Sequence, residues 1–374
     1  MKVVIEAMGI QNFGGGRSAT LNLLEYLFEL DKSNEYTVIL TKPEPTLQKF
    51  SSNVKQLIAP TANRFLSRLW MQLISPIRFR RYDLIHFTKN LGVFGLSIPI
   101  ILTIFDLSIL SYPEFFPKID VFYWKTFEKL SARKANRIIA ISKTTAKDLE
   151  KFYKVPPENI ELIYPGRDNH YKPSTESEVI RVLEKYNLKE PYIICVGRID
   201  RKKNLSALVK AFSLVKQRIH YQGKLVIVGE EYKKSKDTAL KSTIDNLEIG
   251  NEVVLTGRVP NEDLPPLYTG AHLCAFPSIH EGFGLVALEA LACGTPLIAH
   301  KSNAVAEVVG NAGILVDATD PTEVADKMIS VIQDPHLRKN LSRAGLIRAL
   351  QFRWDTAAER LLQNYQDIYE KSKR

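Results

Sequence analysis

Between Gly197 and Asn204 the chain packs four cations into one turn, Arg198, Arg201, Lys202 and Lys203, in the run GRIDRKKN. Like charges this close repel unless an anion sits among them, and the planar fork of Arg198 with the point charge of Lys203 suits a diphosphate. A solvated basic loop is the plain alternative. A second stretch, PSIHEGFGLVALEA from Pro277 to Ala290, ends an apolar run, turns on Gly282 and Gly284 and opens a helical pattern. A helix N-terminus preceded by glycines presents free backbone N–H groups to phosphate or to hydroxyls. Glu281 in that turn and Glu289 on the helix are carboxylates able to accept several hydrogen bonds from sugar or ribose hydroxyls; a helix cap and a surface ion pair would explain them equally simply.

A third stretch, NFGGGR from Asn12 to Arg17, places Gly14, Gly15 and Gly16 before a helical pattern. The dinucleotide fingerprint G-x-G-x-x-G is not completed, because the residue three beyond Gly16 is Ala19. No Asp-x-Asp pair occurs in either half, so no metal bridging a diphosphate is expected.

Such loops need sheets to hold them. Short apolar runs alternate with helical periodicity through both halves, the pattern of strand-helix-strand units with parallel sheets. In the first half strands are predicted at Val3 to Ala7, Tyr36 to Leu40, Val54 to Ile58, Leu84 to Phe87, Ile98 to Ile104, Arg137 to Ile141 and Ile160 to Ile163, with helices at Ser18 to Leu30, Ile119 to Ala135 and Lys143 to Phe152. The run YPGRDNHYKPSTES from Tyr164 to Ser177 is polar and carries two prolines and a glycine, so it reads as a connection between domains. The pattern then restarts. Strands are predicted at Tyr192 to Val196, Lys224 to Val228, Glu252 to Thr256, Leu273 to Ala275, Leu297 to Ala299 and Gly313 to Val316, and helices at Leu205 to Gln217, Leu264 to Thr269, Gly284 to Ala292 and Pro321 to Gln333.

A length of 374 residues, 45% of them hydrophobic, supports two cores and argues against disorder. The N-terminus enters an apolar strand pattern directly, without the features of a signal peptide, and no apolar run is long enough to span a bilayer. Cys195, Cys274 and Cys293 lie in apolar segments without metal-ligand spacing and read as buried thiols in a cytoplasmic chain. The net charge of +10 suits an anionic partner without choosing which. Aromatic-basic interleaving and helix-turn-helix signals are missing, so no nucleic acid is expected.

The stretch from Leu264 through PPLYTGAHLCAFPSIHEGFGLVALEALACGTPLIA resembles the retaining glycosyltransferases of family 4, as do VGRIDRKKNLSALVKAF, YPGRDNHYKP at the linker and FRWDTAAERLLQNY near the C-terminus. The resemblance implies the GT-B architecture: an α/β chain of two Rossmann-like domains whose parallel sheets face each other across a cleft. It places an N-terminal acceptor domain at 1–168, a linker and donor domain at 169–352, and a C-terminal helix at 353–374 returning to the first domain. By the same resemblance Arg198 and Lys203 hold the donor diphosphate and stabilise the leaving group, and Glu289 binds the ribose. Glu281, with Gly282 and the backbone around Phe283 and Gly284, binds hydroxyls of the transferred sugar. The backbone of Leu285 and Val286 meets phosphate, Gly257, Arg258 and Val259 contact the base, and Gly14, Gly15 and Gly16 approach the donor phosphates. The implied donor is a UDP-hexose such as UDP-glucose, the acceptor a saccharide or a lipid-linked hydroxyl, and no cofactor or metal is needed.

The chain departs from the family's pattern at Phe105-Asp106, where most members have His-Asp. Phe105 can neither donate nor accept a hydrogen bond. Asp106 keeps the pattern and is expected near the chemistry, and His86 ends another strand where the family also carries histidine. Either His86, Lys89 or Asn90 makes the missing sugar or acceptor contact, or the donor sugar lacks a polar 6-position. A nucleotide-sugar-binding chain without turnover is the further alternative. Finally, NRFLSRLWMQLISPIRFRRYD from Asn63 to Asp83 mixes Arg64, Arg68, Arg78, Arg80 and Arg81 with Phe65, Leu66, Leu69, Trp70, Leu73 and Ile77. It reads either as a basic amphipathic helix for an anionic membrane surface, which would put the chain at the inner face of a membrane, or as a buried helix with an arginine rim.

Overall fold

The computed structural model describes residues 1–11, 14–231, 238–301 and 303–373. Among these, thirteen strands form two parallel sheets. The first comprises β1 (Lys2–Glu6), β2 (Glu35–Leu40), β3 (Val54–Ile58), β4 (Leu84–Phe87), β5 (Ile100–Ile104), β6 (Arg137–Ala140) and β7 (Ile160–Leu162), in the order β3-β2-β1-β4-β5-β6-β7. The second comprises β8 (Tyr192–Val196), β9 (Lys224–Val228), β10 (Val253–Gly257), β11 (Leu273–Phe276), β12 (Leu297–His300) and β13 (Ile314–Val316), in the order β10-β9-β8-β11-β12-β13. The central strands β4, β5, β8 and β11 are buried at every position. Helices on both faces demand this, and it is why these strands read as unbroken apolar runs rather than alternations. Both sheets are doubly wound and Rossmann-like.

The chain divides into two compact units, Met1–Gly166 with Arg353–Arg374, and Arg167–Phe352. The division falls two residues before the boundary expected at 168. In the first unit the last helix, Trp354–Lys373, buries Leu361, Tyr365 and Ile368 and packs along the helix Gly15–Leu30. On the opposite face of that sheet Val4, Ile85, Leu102 and Ile138 join Met71, Phe79 and Tyr153 in one core. The second unit's core gathers Ile193, Leu225 and Leu273 from its strands with Leu208, Phe212 and Met328 from its helices. All three cysteines are free and buried there.

Several elements differ from the sequence pattern. β5 starts at Ile100 rather than Ile98, because Pro99 has no N–H to give the ladder and contributes only its carbonyl, to Ile85 N at 3.0 Å. The helix from Lys143 is regular only to Asp148 and finishes as a wide turn over Leu149–Tyr153. The helices Glu176–Lys185, Thr238–Asn246, Asn303–Val309 and Pro335–Ala349 were not foreseen. The first of them shortens the polar connection: Thr175 caps it, its hydroxyl accepting from Glu178 N while the Glu178 carboxylate accepts from Thr175 N at 2.7 Å.

Candidate active site

In the second sheet β8 and β11 are neighbours although β9 and β10 lie between them in sequence. The loops leaving their carboxyl ends diverge there, which is where doubly wound sheets bind ligands. The loop after β8 carries Arg198 and Lys203; the loop after β11 carries Glu281 and leads into the helix Leu285–Ala292. The two loops are tied together by Ile279 N, which donates to the Lys202 carbonyl at 2.9 Å. Arg198, Lys203, Pro277 and Ser278 line one small recess floored by Cys195 and Phe276.

Lys203 Nζ pairs with Glu281 Oε1, both side chains only about 15% exposed, and the Ser278 hydroxyl donates to the same Glu281 oxygen at 2.5 Å. Burial alone would raise the Glu281 carboxyl, but the charges of Lys203 and Lys202 and the two hydrogen bonds outweigh it and hold the group below its usual range. The turn is therefore a fixed pair with Arg198, exposed, beside it.

Gly284 precedes the helix with φ +106°, a left-handed conformation, and a side chain there would press to 3.3 Å from Val305 Cγ2. The amides of Leu285 and Val286 follow in the first turn, where a helix has no carbonyl of its own to offer them. Phe283 is buried against Phe352, ring centroids 5.6 Å apart, so its side chain anchors the turn and only its backbone is left for a ligand. Gly282 is partly buried beside it. One helical turn further on, the partly buried Glu289 accepts from Tyr268 OH at 3.2 Å. Burial raises its carboxyl to about 8, against hydrogen bonds from Tyr268 and Tyr171 and with Asp168 adding to the rise. Gly257 ends the edge strand β10 at φ +68°, its carbonyl accepting from Gly229 N at 2.9 Å; Arg258 is exposed and Val259 buried.

The remaining candidates lie in the first unit. Asn12 and Phe13 fall outside the described residues. Gly14 caps the helix that Gly15 and Gly16 begin, three residues earlier than expected. This turn follows β1, which borders β4 at that sheet's own switch point. Phe105 lines an apolar cavity with Ile139, Ile141, Ile163 and Trp354, and its backbone N–H donates to Asn90 Oδ1 at 3.2 Å. Asp106 stands two residues before the short helix Ser108–Ser111, its Oδ1 accepting from Ser108 N at 2.9 Å. His86 lines the same cavity. It is buried, Nδ1 bonds Tyr365 OH at 2.7 Å and Nε2 bonds Thr103 Oγ1 at 2.8 Å. Burial lowers the imidazole to about 3, so it is neutral, and both of its nitrogens are engaged between β4, β5 and the last helix. Ser278, Tyr171 and Tyr268 were missed by the sequence reading, since a lone hydroxyl carries no local signal.

Residues 13–171 match the family described as Glycosyltransferase Family 4, and residues 177–347 match Glycosyl transferases group 1. O-antigen chain mannosyltransferase B of Escherichia coli is 29% identical over 264 residues, covering 70% of this chain and 69% of its own length. A D-inositol 3-phosphate glycosyltransferase of Salinispora arenicola is 32% identical over 251 residues, covering 64% of this chain and 56% of its own, so the chain spans little more than half of that relative. In fold, Anabaena HepE, solved with UDP and glucose, superposes with a TM-score of 0.80 at 21% identity, covering 98% of this chain and 100% of that one. With a family match on either side of the unit boundary and this fold, the chain belongs to the family 4 glycosyltransferases and is an enzyme of the GT-B type.

Proposed function

We propose that the protein transfers a hexose from a nucleoside-diphosphate donor, UDP-glucose or a close relative, to a hydroxyl of a saccharide or lipid-linked acceptor, with retention at the anomeric carbon. The observation that carries this is the recess after β8 and β11, where Arg198 and the Lys203–Glu281 pair adjoin the glycine-led helix Leu285–Ala292. A diphosphate would meet two cations and the first-turn amides of Leu285 and Val286, all of which gain as negative charge grows on the leaving group. The acceptor oxygen bonds to C1 on the face from which the diphosphate departs, the C1–O bond to phosphate breaks, and the acceptor proton passes to the departing phosphate. Glu281, held ionised by Lys203, accepts from sugar hydroxyls; Glu289 takes the ribose hydroxyls, and the loop Gly257 to Val259 meets the base. No metal is invoked, because the cations and the helix terminus supply the positive field. HepE, solved with UDP and glucose, lends the nucleotide and sugar assignment.

A panel of nucleoside diphosphates and their sugars, scored by thermal shift and by slow donor hydrolysis, tests the reading. A UDP-hexose is expected to raise the melting temperature and to be hydrolysed. Affinity with no hydrolysis or transfer on any donor would favour a binding protein, and no shift with any nucleotide would remove the assignment altogether.

A further inference from the structure

We propose that Glu128, on the helix Lys118–Lys134, is a positioning residue for the transfer reaction, acting through Asn90 to fix the backbone of Phe105 and Asp106, an inference resting on the function proposed above. Glu128 is 1% exposed. A buried carboxyl is costly unless its oxygens are bonded. Both are, by groups far away in sequence: Oε1 accepts from Asn90 Nδ2 at 2.5 Å and Oε2 from Tyr153 OH at 3.0 Å. Burial raises the carboxyl to about 8 against these two hydrogen bonds, and the charge of Asp106 adds to the rise.

Asn90 is the relay. It follows β4 in a left-handed conformation, φ +50°, which asparagine tolerates better than most side chains. Its backbone N–H donates to the Thr103 carbonyl at 2.8 Å, so the loop after β4 lies along the end of β5. Its side-chain Oδ1 accepts from Phe105 N at 3.2 Å, while Nδ2 donates to the Asp106 carbonyl at 3.2 Å as well as to Glu128. A backbone N–H only donates and a carbonyl only accepts, so the amide has one orientation that satisfies all three partners. Glu128 matches its nitrogen end and holds it there. Thr145 Oγ1 donates to the Phe105 carbonyl at 3.2 Å, and Ser108 gives both its N–H and its hydroxyl to Asp106 Oδ1. The direction in which the Asp106 carboxylate is presented therefore follows from a backbone gripped on both sides.

Place in the fold makes this more than packing. Phe105 and Asp106 leave the carboxyl end of β5, beside β4, which borders β1 at the switch point of the first sheet. Side chains at that rim face the ligand side of a doubly wound sheet. A shift of about 1 Å in a reacting or orienting group can cost about a hundredfold in turnover. Stability alone would be served as well by an apolar side chain at 128, since buried charges add little to it.

Hydrolysis of UDP-glucose by the full chain, with kcat and KM read separately, tests this together with hydrogen exchange at the Phe105 amide. Glu128→Leu should lower kcat about a hundredfold and speed that exchange. UDP affinity should change less than about twofold, because the candidate nucleotide recess lies in the second unit. Glu128→Gln keeps an oxygen for Asn90 Nδ2 and should restore most of the turnover lost with leucine. Asn90→Asp sets a carboxylate against the Asp106 carbonyl and Glu128, and should fail as Glu128→Leu does. Joined to Glu128→Gln, whose amide can donate to the new carboxylate, it should regain at least about tenfold in kcat. This pair carries the test even where Glu128→Leu does not fold. A lowered melting temperature with kcat intact, glutamine no better than leucine, or no gain in the double variant would overturn the proposal. A parent that turns over no donor defeats the proposed function itself, whereas an active parent with indifferent variants defeats only the role of Glu128.

Discussion

Lys203 and Glu281 stand 78 positions apart in sequence and form the ion pair that joins the two loops at the switch point of the second sheet. Lys203→Met leaves the mostly buried Glu281 carboxylate without its cation, a change that typically costs about 3 kcal/mol. Adding Glu281→Gln should return part of that loss, because the stranded charge is gone. Denaturant midpoints of the two single variants and the double variant measure the coupling, and strictly additive losses would mean that the pair does not act as a unit. If Lys203 also holds the leaving diphosphate, Lys203→Met should lower kcat at saturating donor more than it raises KM.

Glu289 titrates in the opposite sense from Glu281. Its folded carboxyl is raised to about 8, well above the unfolded value of about 4.3. The folded state therefore binds the extra proton between those values, and this contribution to stability is lost as pH rises from about 4.3 to 8. Glu289→Gln, neutral throughout, should flatten that part of the stability-pH curve. Nucleotide affinity should tighten toward pH 8 in the parent if the ionised carboxylate receives ribose hydroxyls, and should lose this pH dependence in the variant. A parallel pair of stability curves would show that Glu289 is ionised in the free protein.

Gly229 approaches the loop of the candidate site so closely that a Cβ would lie 1.9 Å from the Gly197 carbonyl oxygen, at φ +150°. Gly229→Ala should cost at least about 2 kcal/mol and displace Arg198, weakening nucleotide binding as well as stability. Gly250→Ala, where a Cβ meets nothing within 4 Å, is the control and should be nearly silent. Equal effects of the two substitutions would mean that the Gly197–Gly229 contact relaxes freely.

The strands were legible because parallel strands buried on both faces concentrate apolar residues in short uninterrupted runs, as in YIICV and LIHF. The helix Glu176–Lys185 has a readable signal in Thr175 followed three residues later by Glu178, at the end of the polar run that reads as a connection up to Ser177. Pro335–Ala349 offered little to read, since it buries only Leu341, Gly345 and Ala349. At the site, residues confined to one loop, such as Arg198 and Lys203, announce themselves by crowding of charge. The His86–Tyr365 bond spans 279 positions and has no local trace. That Arg64–Arg78 turns Phe65, Leu69, Leu73 and Ile77 to solvent was one of two orientations its sequence left open: periodicity shows that a helix has an apolar stripe, but only tertiary packing decides which way it points.

That same His86–Tyr365 bond predicts a stability effect in the first unit. Tyr365→Phe keeps the ring and removes the hydroxyl, leaving buried His86 Nδ1 unpaired, at a cost of about 1–3 kcal/mol. The loss should appear as earlier detachment of the last helix, read as faster amide exchange over 354–373 relative to the strands of the first sheet. If exchange rises uniformly across the unit, the bond is not what pins that helix.

Phe105 provides the sharpest test, because there the chain departs from its family's pattern. Its ring lines an apolar cavity with Ile139, Ile141, Ile163 and Trp354, and its backbone is held by Asn90 and by the Thr145 hydroxyl, which donates to its carbonyl at 3.2 Å. The ring is thus occupied in packing. Phe105→His puts a polar ring into that cavity and should cost about 1–3 kcal/mol in stability, as an imperfectly paired buried polar group does. Donor choice should not follow. The ratio of kcat/KM for a hexose donor to that for its 6-deoxy counterpart is expected to be the same in parent and variant. If the ring instead met the sugar at C6, the imidazole would supply a hydrogen bond that the parent lacks, and the ratio would shift toward the 6-hydroxy donor by roughly one to two orders of magnitude. A shift of that size would move Phe105 from the packing of its own unit to the recognition of the transferred sugar.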